Sequence, residues 1–333
     1  MTETIRPGAA PVAPNAEASL KPKKRRRGVV GCAVGVALGV AGLLAGRLAQ
    51  LWVTFDVFTN FSPQFMFVVV AFGIGLFVPR AKVLAASVML IVMLLLQSMW
   101  PHYASSSVSE LSKVAAGERE LRVASFNTKI SNANVEDVKS EIARINADVI
   151  VLVEFGTKLH VIYDLLKTQY PYNAQCRNAS KCTFGMLSKF PLDNISDQMV
   201  SPGPPFMRAS LGSQFGNLTI FAVHTTRFPQ SRAQFNQIKD LVGELETVVG
   251  PHIVMGDFNA TPYSRIAETL SSQANLARLT NLPTWPAQFG LPQVAIDHIF
   301  VSSGIRQLES QSIGNAAGSD HFPIQLKVAV PVQ

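Results

Sequence analysis

Cysteine is scarce in this chain, with three residues in 333. That number cannot build a disulfide-rich scaffold. Cys32 lies within an apolar run, and Cys176 and Cys182 stand in a polar, loop-like stretch with no nearby pair of histidines, which argues against a zinc site. In an oxidising compartment Cys176 and Cys182 are candidates for a small disulfide loop, with two unpaired thiols as the alternative. Charge is also thin, at 15% of residues. No internal repeat is present, which excludes a solenoid. From Leu121 onward there is no cluster of Lys and Arg of the kind that grips duplex DNA by neutralising several phosphates.

What charge there is divides unevenly. Up to Glu120 the chain carries 12 basic and 6 acidic residues, and from Leu121 onward 17 and 16, so the net +7 splits into +6 and +1. Most of the excess sits in Lys21-Pro22-Lys23-Lys24-Arg25-Arg26-Arg27, which directly precedes an apolar run. Residues 28–46 hold no charge over 19 positions, long enough as a helix to cross a hydrocarbon core of about 30 Å. Further apolar runs follow at about 65–79, entering from about Phe58, and at 83–100, separated by Arg80-Ala81-Lys82. The pattern predicts three membrane spans and not a cleaved signal peptide. None carries a mid-span acidic residue, so an ion path is a poor reading. Basic residues before the first span and between the second and third place both in the cytoplasm. Everything after Trp100 then falls outside it.

The expected organisation is a disordered basic tail over 1–27, a three-span region over 28–100, a linker over 101–120 with a short helix near 108–116, and a folded domain over 121–333. Within that domain strands and helices alternate. Residues 121–126 alternate apolar and polar as a strand, and Val135, Val138, Ile142 and Ile145 mark one helix face behind the acidic Glu136 and Asp137. A near-continuous apolar strand covers 148–153, as in a sheet covered on both sides. Further strands are expected at 184–188, 218–223, 252–255, 297–302 and 324–330, with an amphipathic helix over 231–248.

Polar residues recur at the ends of these apolar strands: Asn127, Glu154, His224, then Asp257 in Gly256-Asp257-Phe258-Asn259, and Asp297 in Ile296-Asp297-His298. Ser319-Asp320-His321 precedes the last strand. Strand ends deliver side chains into a common cleft. Carboxylates, carboxamides and imidazoles converging there suit a hard divalent cation and a phosphate. His252 and His298 read as structural.

On these motifs the region from about Leu121 to Val330 resembles the endonuclease/exonuclease/phosphatase superfamily, whose fold is that of pancreatic deoxyribonuclease. The resemblance implies an α/β fold, specifically a four-layer α/β sandwich (DNase I-like), here preceded by three transmembrane helices. It implies Asn127, Glu154 and Asp320 on the metal side, with Mg²⁺ as the cofactor and Mn²⁺ as the alternative. Asp257 matches the aspartate that orients or deprotonates water, with Asn259 donating its amide to a phosphate oxygen. His321 matches the histidine beside the scissile phosphate, Asp297 the carboxylate that holds it, and His224 a phosphate-binding or protonating histidine. Arg227 and Trp285 are candidates for the substrate rim. Where many members have Gln before the metal glutamate, this chain has Val153, a departure that bears on geometry near the metal.

The implied activity is a membrane-tethered, metal-dependent phosphoesterase acting outside the cytoplasm on nucleic acid, a phospholipid head group or another phosphate ester. Its expected partners are the lipid bilayer and that substrate, with no obligate protein partner evident. The alternative from a different class is a catalytically inactive, membrane-anchored binding module of the same fold.

Overall fold

The computed structural model describes residues 21–76, 86–90, 93, 113–176, 183–199 and 203–332. The chain divides into two units, one comprising residues 1–41 and 63–94, the other 42–62 and 95–333.

The first unit is helical. Helix α1 (Lys21–Arg47) provides most of it; after a short α2 (Asp56–Thr59), which belongs to the other unit, α3 (Ser62–Ile74) follows, and residues 86–90 are also helical. Gly35 and Gly39, one turn apart, let the two helices approach closely. A Cβ on Gly39 would lie 2.6 Å from Val69 Cγ2, and one on Gly35 would overlap the Phe72 ring. Small residues at such spacing are how helices pack where burial of apolar surface gives no driving force. Val30, Val34, Leu38 and Leu44 of α1 are each more than half exposed, an apolar stripe suited to lipid. Among the described residues one helix, 27–50, is long and apolar enough to cross a membrane. Residues 53–59 and 62–74 form a second such candidate only if taken together, bent by 54° at their junction. The expectation of three membrane spans is corrected to that extent: of the second run, expected at 65–79, the described part is helical only to Ile74, and the third, at 83–100, lies largely outside the described residues. The tail expected to be disordered over 1–27 is corrected in its last part, because residues 21–27 begin helix α1; residues 1–20 and most of the linker helix expected at 108–116 lie outside the described residues, and residues 113–117 form no helix.

The second unit is built on two sheets. Its strands are β1 (Glu118–Asn127), β2 (Val149–Val153), β3 (Tyr172–Gln175), β4 (Phe184–Ser188), β5 (Leu192–Gln198), β6 (Phe206–Leu211), β7 (Thr219–His224), β8 (His252–Asp257), β9 (Ala277–Arg278), β10 (Asp297–Val301), β11 (Arg306–Gln307), β12 (Ser312–Ile313) and β13 (Ile324–Pro331). One sheet has the order β11-β13-β1-β2-β4-β3, with β12 also on β13; the other runs β5-β6-β7-β8-β10-β9. Their inner faces form one core, in which Val123, Val149 and Val151 meet Met207, Ile220 and Met255. Helices α4 (Val135–Ile145) and α5 (Ile162–Leu165) cover the outer face of the first sheet through Val138, Ile142, Ile162 and Tyr163. Helices α6 (Ser231–Glu246) and α7 (Arg265–Gln273) cover the second through Ile238, Leu241, Ile266 and Leu270. The result is helix, sheet, sheet, helix, as expected.

Every strand and helix predicted within the domain is present. Most of the unpredicted ones are short or polar, as in β5, which reads Leu-Asp-Asn-Ile-Ser-Asp-Gln with too little apolar alternation to register, but β6 and α7 were also not predicted although each has a buried apolar face. Cys176 is disulfide-bonded, whereas its expected partner Cys182 lies outside the described residues.

Residues 48–61 join α1 to α3 and belong to the domain unit. They form two 3₁₀ turns and α2, laid against α6 and the first turn of α7. The Asp56 carboxylate accepts from the Arg265 backbone N–H at 2.9 Å, Asn60 Oδ1 accepts from Thr261 N–H at 2.8 Å, and Arg265 Nη1 reaches the Ala49 carbonyl at 3.0 Å.

Gly256 on β8 has φ +148°, and a Cβ there would fall onto the Val223 carbonyl of β7. Gly256→Ala is expected to destabilise the folded domain by at least about 2 kcal/mol, combining backbone strain with a clash. A denaturant melt that moves by less than the error would contradict this.

Candidate active site

Strand pairing gathers the site. β7 and β8 run parallel with His224 opposite Asp257, and β8 and β10 antiparallel with Asp257 opposite Asp297. In the facing sheet β1 and β2 run parallel and end together at Asn127 and Val153, so Glu154 follows immediately beyond Asn127's level. The two sheets thus present their polar strand ends at one edge of the shared core.

Asp257 is the common member. It is 1% exposed. Its Oδ1 accepts the Asn259 N–H at 2.8 Å and its Oδ2 accepts the Asn127 amide at 3.0 Å. Nε2 of His224 and Nε2 of His321 each stand 3.7 Å from that same Oδ2. Burial pushes the Asp257 carboxyl above its ordinary range; the His321 imidazole opposes that shift, and Asp297 adds to it.

Glu154 sits in a left-handed conformation, φ +51°, uncommon for a side-chain-bearing residue. The turn aims its carboxylate back over the strand ends, where Oε2 accepts from Ile130 N–H at 3.0 Å and Oε1 from the Asn127 amide at 3.3 Å. His224 Nε2 lies 3.7 Å from Glu154 Oε1.

Opposite Glu154, His321 Nδ1 meets Asp297 Oδ2 at 2.8 Å. Burial disfavours the imidazolium, but the Asp297 and Asp257 carboxylates outweigh it and raise the His321 pKa to about 10. At neutral pH this imidazole is therefore charged. His298, by contrast, is fully buried, its pKa pushed down to about 3 by desolvation, and it bonds the Ala260 carbonyl at 2.8 Å. It is structural, as expected.

The donor set fits a divalent cation. One oxygen each from Glu154 and Asp257 and a His224 nitrogen lie within 4.8 Å of one another, and Asp257, Asp297 and His321 form a second such group. Carboxylate oxygens suit Mg²⁺ or Mn²⁺. A buried carboxylate with a raised pKa marks a place where added positive charge is favoured.

Not every sequence expectation lands as framed. Asn127 turns its amide nitrogen toward both carboxylates, while its Oδ1 accepts from Lys129 N–H at 3.0 Å; in this arrangement it orients Glu154 and Asp257 instead of offering an oxygen. The Asp320 side chain belongs to neither group, and its backbone carbonyl accepts from Ala287 N–H at 2.8 Å. One Asn259 amide N–H is occupied by the Thr225 carbonyl at 3.0 Å. Arg227 is exposed on the loop after β7. Trp285 is half-buried and stands edge-on to Phe228, ring centres 6.4 Å apart.

Several supporting roles were not read from sequence, where Thr284 was a candidate for the substrate rim beside Trp285 and Ser319 only the first residue of its motif. Thr284 Oγ1 donates to Asp297 Oδ2 at 2.5 Å, on the oxygen that also meets His321. Ser319 Oγ donates to the Asn127 carbonyl at 2.7 Å and accepts from His321 N–H at 3.1 Å, tying the segment before β13 to the end of β1 in the same sheet. Buried Gln234 spans the Phe258 and Asn259 carbonyls at 2.8 and 3.1 Å. Gln234 did leave a sequence signal: it shares the α6 face of Ile238, Leu241 and Leu245, where an amide is out of place unless bonded.

Thr284→Val keeps the shape and removes the donor to Asp297. It is expected to cost about 1–3 kcal/mol of stability, the penalty for an under-satisfied buried carboxylate. Urea unfolding of the variant measures it, and an unchanged midpoint would contradict the assignment.

Comparison with known proteins agrees with this fold. Among solved structures, a magnesium-bound mutant of β toxin from Staphylococcus aureus is 13% identical and covers 64% of this chain and 99% of its own, with TM-score 0.51. The human nocturnin catalytic domain with bound sulfate is 16% identical, covering 64% and 97%, with TM-score 0.50. An endonuclease/exonuclease/phosphatase family protein from Bacteroides thetaiotaomicron is 15% identical, covering 65% and 100%, with TM-score 0.51. At such identities the likeness is one of fold. No curated protein matches the sequence. The sequence pattern of the endonuclease/exonuclease/phosphatase family matches residues 124–321, and the chain belongs to that family.

Proposed function

We propose that this protein is a membrane-tethered, divalent-metal-dependent phosphoesterase whose catalytic domain lies outside the cytoplasm. The observation that carries the catalytic part is the pair of groups sharing Asp257: Glu154 and His224 on one side, Asp297 and His321 on the other. A carboxylate of raised pKa, a charged imidazole and a cation-ready carboxylate in one cleft are what hydrolysis of a phosphate ester requires.

In this reading Glu154, with Asp257 beside it, would hold Mg²⁺ or Mn²⁺, which supplies charge neutralisation for the phosphoryl oxygens. Asp257, made more basic by its burial, orients the attacking water and takes its proton. The Asn259 N–H keeps the Asp257 carboxylate aimed. His321, charged at neutral pH and held through Nδ1 by Asp297, binds a phosphoryl oxygen and stabilises the charge that builds there. His224, on the open side, provides a second contact to the phosphate. Trp285 and Arg227 are assigned to the rim that would meet the rest of the substrate, which is nucleic acid, a phospholipid head group or another phosphate ester.

The location rests on two arguments. The Lys/Arg run before Gly28 keeps the N-terminus in the cytoplasm, so a crossing by α1 carries residues 48–61 to the other side. Those residues hydrogen-bond to Thr261 and Arg265, and parts of one folded unit must share one side of a bilayer. This location requires an even number of crossings between residue 62 and β1.

Turnover by the full-length protein in nanodiscs is the test, against a model diester, a model monoester, DNA and phospholipid, with Mg²⁺ or with EDTA. His321→Ala and Glu154→Gln are each expected to lower kcat at least about 10³-fold on the substrate class that wild type hydrolyses, and EDTA to abolish turnover. Metal-independent turnover, or variants as active as wild type, would overturn the assignment. Absence of turnover on every class by folded protein would favour the binding-module reading. For location, Val249, 92% exposed, is a suitable probe. Val249→Cys in a Cys32→Ser background is expected to react with an impermeant maleimide while the cytoplasmic membrane is intact; labelling only after lysis would place the domain inside.

A further inference from the structure

We propose that residues 48–61, the segment between α1 and α3, are a working part of the catalytic centre, and that Asp56 and Asn60 are positioning residues for Asp257 and Asn259. This rests on the site reading above and adds to it a part of the chain remote in sequence from every family motif.

The loop leaving β8 begins at the site and ends at α7. Asn259 sits in it with φ +47°, and its N–H fixes the Asp257 carboxylate. The geometry of Asp257 thus depends on where the next residues are anchored. Ala260 is anchored through its carbonyl by His298 and Phe258–Asn259 by Gln234. From Thr261 on, the anchors come from the segment between the helices. Asn60 Oδ1 takes Thr261 N–H, and Asp56 Oδ1 takes Arg265 N–H at the first turn of α7, where a carboxylate also suits the helix dipole.

These contacts are not surface decoration. Asp56 is fully buried and Asn60 is 1% exposed. Burying a carboxylate is costly unless it is hydrogen-bonded, and Asp56 is held further by Thr59 Oγ1 at 2.7 Å, while Asn60 Nδ2 donates to the Asp56 carbonyl at 3.2 Å. Adhesion alone would be served by apolar side chains. A buried acid aimed at one backbone N–H fixes register instead.

The segment also reaches the other flank of the centre. Phe61 meets Phe228 edge-on, ring centres 5.3 Å apart, and Phe228 in turn meets Trp285. Trp285 follows Thr284, which holds Asp297. One strap therefore braces both the loop carrying Asp257 and Asn259 and the loop behind Asp297 and His321. A domain cut free of the first hundred residues would keep every family motif and lose this brace.

The experiment uses the full chain in nanodiscs and compares wild type with Asp56→Ala, Asn60→Ala and Asp56→Asn, the last retaining an acceptor oxygen. Two quantities are read: kcat and KM per folded enzyme on the hydrolysed substrate, and amide exchange over residues 257–266. The expected result is a kcat lowered on the order of tenfold or more in both alanine variants with KM within about twofold, as for misplaced reacting groups, and substantial recovery in Asp56→Asn. Exchange should quicken over 257–266 and stay unchanged over 312–325. Should Asp56→Ala fail to fold, Asn60→Ala, which removes one neutral acceptor, decides alone. Alanine variants with wild-type kcat and unchanged exchange would overturn the proposal while leaving the site reading intact. Inactive wild type would count against the site reading instead, and the exchange measurement would still judge the strap.

Discussion

A carboxylate withdrawn from water at the end of a strand is what the rest of this site is arranged around. Asp257 is almost wholly buried, and such a group is tolerated only when its lone pairs are met and positive charge stands near. The Asn259 N–H, the Asn127 amide and the charged His321 imidazole do so from three directions, and each comes from a different stretch of chain. Because burial raises its pKa, the same group that is awkward to accommodate becomes a better acceptor for a water proton. The instability of the ground state and the proposed chemistry have one cause.

The second tier follows from that centre. His321 stays charged because Asp297 lies against its Nδ1, and Asp297 is in turn held by Thr284. Ser319 couples His321 to the backbone of Asn127 in the neighbouring strand. A chain of short polar contacts thus runs from the β10 end to the β1 end, crossing from one sheet to the other. In a low-dielectric setting such contacts reinforce one another, so the arrangement resists partial loss.

The membrane-proximal part is bound into the same logic. Residues 48–61 connect two apolar helices, yet they are packed as part of the domain, through Asp56 and Asn60 on the loop after β8. On the proposed function, tethering would have a structural as well as a locational consequence, because the residues that join the two apolar helices also set the loop after β8.

How much of this was legible beforehand depended on range. The strands ending in Asn127, Glu154, His224 and Asp257 announced themselves by apolar runs closed by one polar residue, and α4 and α6 by their apolar faces. Polar or very short strands such as β5 and β11 gave no such signal, since pairing and not side-chain pattern makes them strands. The roles of Asp257, Asp297 and His321 were suggested by motif, but a motif carries no distance. That Asn127 turns nitrogen and not oxygen toward the carboxylates, and that Asp320 stands apart from both groups, are outcomes of packing. Asp56 was the least legible, because its partner Arg265 is 209 residues away and the intervening sequence holds no record of that contact. The sequence by itself determined which strands form and which polar residues stand at their ends, because alternation and apolar runs are local. Only the tertiary structure decided which of those residues meet, how their charges shift one another and which remote segment braces them, because burial and proximity arise when the sheets and the strap close together.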